Sequence, residues 1–131
     1  MKLKWEKDQF KAPLARARGL GSAQEGTEHW MAQRMTAIAN LPLVIWFVFA
    51  VVNLRGASHA EFTGWLAQPL NAILAILFII SVLYHAKLGA QVVTEDYVHN
   101  EGFKVFKLIA QKLVVLTIGV ACIFSILKIA L

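Results

Sequence analysis

The sequence predicts an all-α integral membrane protein in which three transmembrane helices pack with a partner subunit and follow a polar N-terminal arm. Of the 131 residues, 58% are hydrophobic and 16% are charged, whereas charged residues make up about 25% of an average soluble protein. Three apolar runs are long enough to cross a membrane, since a helix rises about 1.5 Å per residue and the hydrocarbon core is about 30 Å thick. These runs leave no room for a second domain.

The first element is the polar arm, residues 1–33. Seven of the thirteen Lys and Arg residues lie before the first apolar run, and such a cluster keeps a segment on the cytoplasmic side, near anionic headgroups. The net charge of +5 therefore indicates a membrane surface and not nucleic acid. Gly19, Gly21 and Gly26 are expected to break any long helix in the arm.

The predicted membrane domain, residues 34–131, begins with a span over about 35–54, which contains no charged residue. Arg34 stands at its cytoplasmic entrance, and two interpretations are open. The side chain can extend to the headgroups, which is usual for an arginine at this depth. It can equally pair with a carboxylate of a buried cofactor.

The distribution of charged residues predicts the bounds of the remaining elements. Residues 55–65 are expected to form a short loop on the far side, because they carry few basic residues. The second span covers about 66–93, with Pro69 suited to a first helical turn. A charged loop, 94–107, returns to the cytoplasmic side, and the third span covers about 108–130.

His85 is the residue in the second span that most invites a functional interpretation. An imidazole in apolar sequence is costly and usually faces the interior of a helix bundle. It either forms a hydrogen bond across helices or ligates a metal. If it binds haem between two imidazoles, the second ligand must come from another polypeptide, because no other histidine is predicted at a suitable depth.

Asp96 and Tyr97 lie at the expected edge of the membrane. If the helix continues that far, the eleven residues from His85 to Asp96 turn about 1100°, which leaves the two about 20° apart around the axis and roughly 16 Å apart along it. The pair is either ordinary surface polarity or a hydrogen-bonding site for a ligand carbonyl. No phosphate-binding loop, zinc pattern or nucleophile motif is found, so the chain is expected to be a non-catalytic component.

The segment HAKLGAQVVTEDYVHNE, which begins at His85, resembles the signature of the succinate dehydrogenase hydrophobic membrane anchor subunit, the smaller cytochrome b anchor of respiratory complex II. In that family a histidine on the second span is followed eleven and twelve positions later by Asp and Tyr. The segment HWMAQRMTAIA, which contains Arg34, resembles the start of the family's first span. Lys87 and Glu95 depart from the family pattern, which often has an aromatic residue and Thr at these positions.

The resemblance implies that His85 is an axial ligand of haem b, with the second ligand supplied by the companion cytochrome b anchor subunit. It implies that Arg34 binds a haem propionate, that Tyr97 donates a hydrogen bond to a ubiquinone carbonyl, and that Asp96 orients an arginine of the companion subunit. Succinate would be oxidised on a flavoprotein subunit, with electrons passing through an iron–sulfur subunit to quinone. The implied location is the inner (cytoplasmic) membrane, with multiple spans and a cytoplasmic N-terminus.

Two alternatives remain open. One is a cofactor-free structural or interaction protein of three membrane helices, in which His85 only contacts a neighbouring helix. The other is the same anchor in a quinol:fumarate reductase, because the direction of the reaction depends on the potentials of cofactors held elsewhere.

Overall fold

The computed structural model of the protein describes residues 23–131, and the predictions made for residues 1–22, including Gly19 and Gly21, lie outside this range. The chain divides into two compact units, Met1–Ala32 and Gln33–Leu131. Within the first unit the structure describes the beginning of one helix, and all packing described below lies within the second unit.

The described residues form four helices: α1 (Ala23–Asn53), α2 (His59–Leu66), α3 (Pro69–Tyr97) and α4 (Glu101–Ala130). Three of them, over Gly26–Asn53, Pro69–Tyr97 and Glu101–Ala130, are long and apolar enough to cross a membrane. The predicted all-α fold with three long apolar helices is therefore confirmed. Pro69 occupies the first helical turn of α3, as expected from its missing N–H group.

The helix α1 begins earlier than predicted, because it includes Gly26, which was expected to break it. A single glycine costs a helix about 1 kcal/mol relative to alanine. Good helix formers such as Gln24, Glu25 and Ala32 surround Gly26, and they offset this small cost. The part of the predicted polar arm that the structure describes is thus helical from Ala23 onward.

Residues 55–65, which were predicted to be a loop, contain the short helix α2. The hydroxyl of Ser58 accepts a hydrogen bond from the Glu61 N–H at 3.3 Å, and the Glu61 carboxylate accepts one from the Ser58 N–H at 2.7 Å. This reciprocal arrangement is a capping box, and it satisfies donors that the first turn of a helix leaves unpaired. The preceding turn uses Gly56 with φ of 82°, a backbone conformation that costs glycine little.

The predicted return loop of residues 94–107 is also much shorter than expected. The helix α3 continues to Tyr97 and α4 begins at Glu101. The side chain of Asn100 accepts a hydrogen bond from the Phe103 N–H at 3.0 Å, which caps the new helix. The charged residues that suggested a loop therefore lie on the terminal turns of two helices.

The packed core is small and lies where α2, the start of α3 and the end of α4 meet. Leu66, Ala72 and Ile126 form its buried cluster. Nearby, the rings of Trp46 and Trp65 stack with centroids 5.9 Å apart. Most other large apolar side chains of the described helices are exposed, which is the surface that lipid or another membrane subunit requires.

The capping box provides a test of the α2 boundary. The backbone N–H of Ser58, followed by its hydroxyl, holds the pKa of Glu61 below its ordinary value. The ionised carboxylate therefore stabilises α2 fully at pH values above the ordinary carboxyl pKa. This stabilisation is lost as the pH falls through the lowered pKa of Glu61. We expect Ser58→Ala to raise the pKa of Glu61 only part of the way to its ordinary value, because the backbone donor remains. A carbon-13 NMR titration of the carboxyl group in micelles measures this shift.

Ser58→Thr is the matched control, since it keeps a hydroxyl at the cap and should leave the pKa low. An identical Glu61 titration in wild type and Ser58→Ala would contradict the hydrogen bond that the Ser58 hydroxyl donates to the Glu61 carboxylate at 2.7 Å.

Candidate functional site

The residues singled out on the second span all belong to one uninterrupted helix. The helix α3 contains His85, Asp96 and Tyr97, the last of which is its final residue. Because the helix continues past position 96, the pitch places Asp96 about 20° from His85 around the axis and roughly 16 Å further along it. His85 and Asp96 therefore lie on the same face of a single rigid element.

The half-buried His85 contacts α1 through a hydrogen bond. Its Nδ1 atom lies 2.9 Å from Oγ1 of Thr36. Within the part of the chain that the structure describes, the other ring nitrogen of His85, Nε2, forms no hydrogen bond. Of the two ring nitrogens, Nδ1 is thus the one that the described residues engage.

A second hydrogen bond joins α1 and α3 one turn away. Ser81 Oγ donates to Asn40 Oδ1 at 2.7 Å. Thr36 and Asn40 are four residues apart on α1, as Ser81 and His85 are on α3, so each pair lies on one helix face. The earlier residue of the α1 pair contacts the later residue of the α3 pair, and the later contacts the earlier, as in antiparallel helices. The two contacts fix how the helices align.

Thr36 and Asn40 were not identified from the sequence. A signal was present, because a Thr and an Asn at a spacing of four in apolar sequence match the Ser and His at the same spacing in the second span. Short polar side chains in membrane helices commonly form hydrogen bonds to a neighbouring helix.

The structure places Lys87 away from His85. Two residues correspond to about 200° of helical turn, so the two side chains leave α3 about 160° apart. The Lys87 ammonium group lies 5.6 Å from the ring centroid of Tyr84, an attractive cation–π arrangement. Both residues line an open cleft of about 200 Å³ between α3 and α4. The charge therefore does not border the free nitrogen of His85.

Arg34 and His85 are not brought together on one helix face. Arg34 is exposed, and it lies two residues before Thr36, which corresponds to about 160° around α1. Thr36 faces His85, so the guanidinium leaves α1 from another side. The predicted pairing of Arg34 with a cofactor carboxylate therefore requires the long side chain to extend around the helix.

Asp96 and Tyr97 are available to groups outside this chain. Both are exposed, and Tyr97 is 77% exposed. The inward position in this turn belongs to Thr94, which is 1% exposed and donates its hydroxyl proton to the Ala90 carbonyl at 2.8 Å. The acid and the phenol thus lie at the end of α3 without being part of the chain's own packing.

These features define a class of protein: a multi-pass membrane protein whose described helices expose most of their large apolar side chains and join an imidazole of one span to a threonine of another. Among residues 23–131, no group of three or more His, Cys, Asp or Glu side chains is arranged to hold a metal ion.

The chain belongs to the family of succinate dehydrogenase/fumarate reductase transmembrane subunits, whose family model matches residues 9–127. The resemblance inferred from the sequence is thereby confirmed. The chain is 33% identical over 117 residues to the succinate dehydrogenase hydrophobic membrane anchor subunit of Rickettsia bellii, covering 89% of this chain and 94% of the relative.

Two further relatives come from other organisms. The Paracoccus denitrificans succinate dehydrogenase hydrophobic membrane anchor subunit is 33% identical over 85 residues, covering 65% of this chain and 66% of that protein. The succinate dehydrogenase membrane anchor subunit of Reclinomonas americana is 29% identical over 98 residues, covering 72% and 82% respectively.

The hydrogen bond between Asn40 and Ser81 can be measured with a double-mutant cycle. We expect Asn40→Leu and Ser81→Ala, made singly and together, to show a coupling energy of about 0.6 kcal/mol and at most about 1.7 kcal/mol, the range measured for hydrogen bonds between membrane helices. The free energy of unfolding of the full chain in mixed micelles is the quantity to measure.

Combining Asn40→Leu with Ser125→Ala is the control, because Ser125 donates to the Ala121 carbonyl within α4 and should show no coupling. Additive effects of Asn40→Leu and Ser81→Ala would argue against the contact.

Proposed function

We propose that this chain is the hydrophobic membrane anchor subunit of a succinate:ubiquinone oxidoreductase. The observation that supports this most directly is the engaged Nδ1 and unengaged Nε2 of His85 on a family-matched helix. The chain would contribute binding and electrostatics and no catalytic group of its own. Succinate would be oxidised in the flavoprotein subunit, and an iron–sulfur subunit would deliver electrons to quinone at the membrane.

The residues around His85 are suited to a haem b shared with a companion cytochrome b subunit. Imidazole is a usual axial ligand of haem iron, and a metal-bound histidine generally uses its other nitrogen for a hydrogen bond within the protein. One turn further along α3, a methyl group added at Gly89 would meet no atom within 4 Å, so a flat ligand has room beside the helix. Haem b, when bound, would supply one-electron transfer.

In this proposal His85 offers Nε2 to the iron, and Thr36 holds the ring from the other side. The second axial ligand would come from the companion subunit. Arg34 would extend its guanidinium around α1 to a propionate, where a charge-assisted hydrogen bond is favourable.

The exposed end of α3 would form one wall of the ubiquinone site. The phenol of Tyr97 would donate a hydrogen bond to a quinone carbonyl, and the Asp96 carboxylate would orient an arginine of the companion subunit. The exposure of both side chains supports this assignment, because a partner can reach them. An apolar quinone would thus bind at the membrane surface, where the iron–sulfur subunit would deliver electrons to it.

The complex would lie in the inner (cytoplasmic) membrane with the N-terminus on the cytoplasmic side. The concentration of basic residues before the first apolar run supports this orientation, since seven of the thirteen Lys and Arg residues precede it. With three spans, the C-terminus would lie on the opposite side.

A quinol:fumarate reductase anchor is the second candidate, because the matching family model covers both classes of enzyme. Both share the proposed sites in this chain. Redox potentials of the purified complex would distinguish them.

Replacing His85 by Ala should abolish or strongly alter the b-type haem spectrum, because Ala cannot ligate iron. The measurement is the reduced-minus-oxidised absorption spectrum of the complex purified in mild detergent from native membranes, together with its subunit content. His99→Ala is the control, since that exposed histidine follows the end of α3 and should leave the spectrum intact. An unchanged His85→Ala spectrum would exclude His85 as a ligand, and a wild-type preparation with neither b-type haem bands nor co-purifying redox subunits would favour the cofactor-free alternative.

Tyr97→Phe should weaken quinone reduction while assembly and succinate oxidation with a soluble acceptor persist. Losing one hydrogen bond costs about 0.5–1.5 kcal/mol net, which is roughly twofold to tenfold in the apparent affinity for quinone. Steady-state quinone kinetics measure the change. Tyr84→Phe is the matched control, because Tyr84 lies in the cleft between α3 and α4; equal kinetics for wild type and Tyr97→Phe would refute the assigned role.

A further inference from the structure

The hydroxyl of Thr36 lies within hydrogen-bonding distance of a carbonyl oxygen of its own helix and of the His85 ring. Its Oγ1 lies 3.1 Å from the carbonyl oxygen of Gln33 and 2.9 Å from Nδ1 of His85. A threonine hydroxyl donates one proton and can accept hydrogen bonds at its lone pairs. The position of that proton determines which nitrogen of the histidine ring carries hydrogen.

The carbonyl of Gln33 can only accept a hydrogen bond, whereas Nδ1 of neutral histidine can donate or accept. If the Thr36 proton points to Nδ1, the hydroxyl oxygen and the Gln33 carbonyl oxygen face each other without a hydrogen between them. If the proton points to the carbonyl, the hydroxyl oxygen accepts from Nδ1–H and both contacts are hydrogen bonds. Both contacts are partly buried, and two facing acceptor oxygens without a hydrogen between them cost free energy, so the second arrangement is favoured.

We infer that Thr36 is a positioning residue that holds His85 as the Nδ1–H tautomer and thereby leaves the Nε2 lone pair available for a metal. The tautomer of a histidine ligand is set by the hydrogen bond that its other nitrogen makes. The contact also fixes the rotation of the ring, because Thr36 is itself held on α1, which the bond from Ser81 to Asn40 aligns with α3. As far as the metal is haem iron, the inference rests on the proposed function.

The hydrogen bond has an electronic consequence for a bound iron. Donation from Nδ1–H raises the basicity of the ring at Nε2, and a more basic ligand stabilises ferric over ferrous iron. Removing the acceptor at Thr36 should therefore raise the midpoint potential of the haem. A tenfold change in the relative stability of the two oxidation states corresponds to about 59 mV for one electron.

The test compares Thr36→Val, which keeps the shape and removes the hydroxyl, with Thr36→Ser, which retains it. Spectroscopic redox titration of the purified complex should show a higher haem potential in Thr36→Val and a near wild-type value in Thr36→Ser. Thr117→Val is the matched control, because Thr117 also donates its hydroxyl to a carbonyl within its own helix, that of Leu113 at 2.8 Å, and is exposed on α4. It should leave the potential unchanged.

A second measurement is independent of haem and of electron transfer. In the full chain reconstituted in bilayers with nitrogen-15-labelled histidine, NMR should report Nδ1 of His85 as protonated in wild type and Thr36→Ser. Thr36→Val should show a shift toward the Nε2–H tautomer. A wild-type ring protonated at Nε2, or the same tautomer in all three proteins together with an unchanged potential, would overturn the inference.

The two proposals fail in different ways. A wild-type complex without haem would refute the haem assignment, and the tautomer measurement alone would then decide the role of Thr36. A haem that is present but has the same potential and ring tautomer in Thr36→Val would refute the role of Thr36 and leave the anchor function intact.

Discussion

A polar side chain in hydrocarbon must find its partner within the protein, and the pairing of α1 with α3 depends on this requirement. Two hydrogen bonds, from Ser81 to Asn40 and between His85 and Thr36, lie one turn apart on the facing surfaces. Each is modest in energy, yet a shift of α1 along α3 would break both hydrogen bonds at once. The alignment that satisfies them is also the one that engages Nδ1 of His85 with Thr36.

The apolar surface of this chain has a different role from that of a soluble core. Among the described residues, the buried apolar side chains are few, and they concentrate where α2 and the ends of α3 and α4 meet. Gln111 adds one polar contact at the other end, donating to the carbonyl of Lys87 at 2.8 Å. Three helices with so small a core offer wide apolar faces, which suits a subunit that completes its packing in a larger membrane assembly.

Hydropathy was sufficient to predict the long helices, because a run of apolar residues in lipid has few alternatives to a helix. It was insufficient at the helix ends, because local hydrogen bonds determine the residue at which a helix begins. The capping box at Ser58 and Glu61 was legible in the sequence as S-x-x-E, but the charged composition of that segment suggested a loop. Asn100 caps α4 through a single hydrogen bond from the Phe103 N–H, and charged residues are tolerated on the terminal turns of both neighbouring helices.

The site was predictable in part, for related reasons. His85, Asp96 and Tyr97 lie on one helix, so their spacing alone defines their relative positions. The contact of His85 with Thr36 depends on how two helices align, and the separation of 49 residues along the chain carries no such information. Lys87 likewise leaves α3 on the face opposite His85, which follows from helical pitch and not from proximity in sequence.

Because α3 is continuous from His85 to Tyr97, the number of residues between them fixes the direction in which each side chain leaves the helix. Inserting or deleting one residue between His85 and Asp96 would rotate everything beyond it by about 100° and move it by about 1.5 Å along the axis. The carboxylate would then leave the helix on a side facing different neighbours, although each local environment remained helical and apolar. A loop in this position would accommodate the extra or missing residue without moving the side chains beyond it. A continuous helix instead rotates and shifts the side chains at the membrane surface.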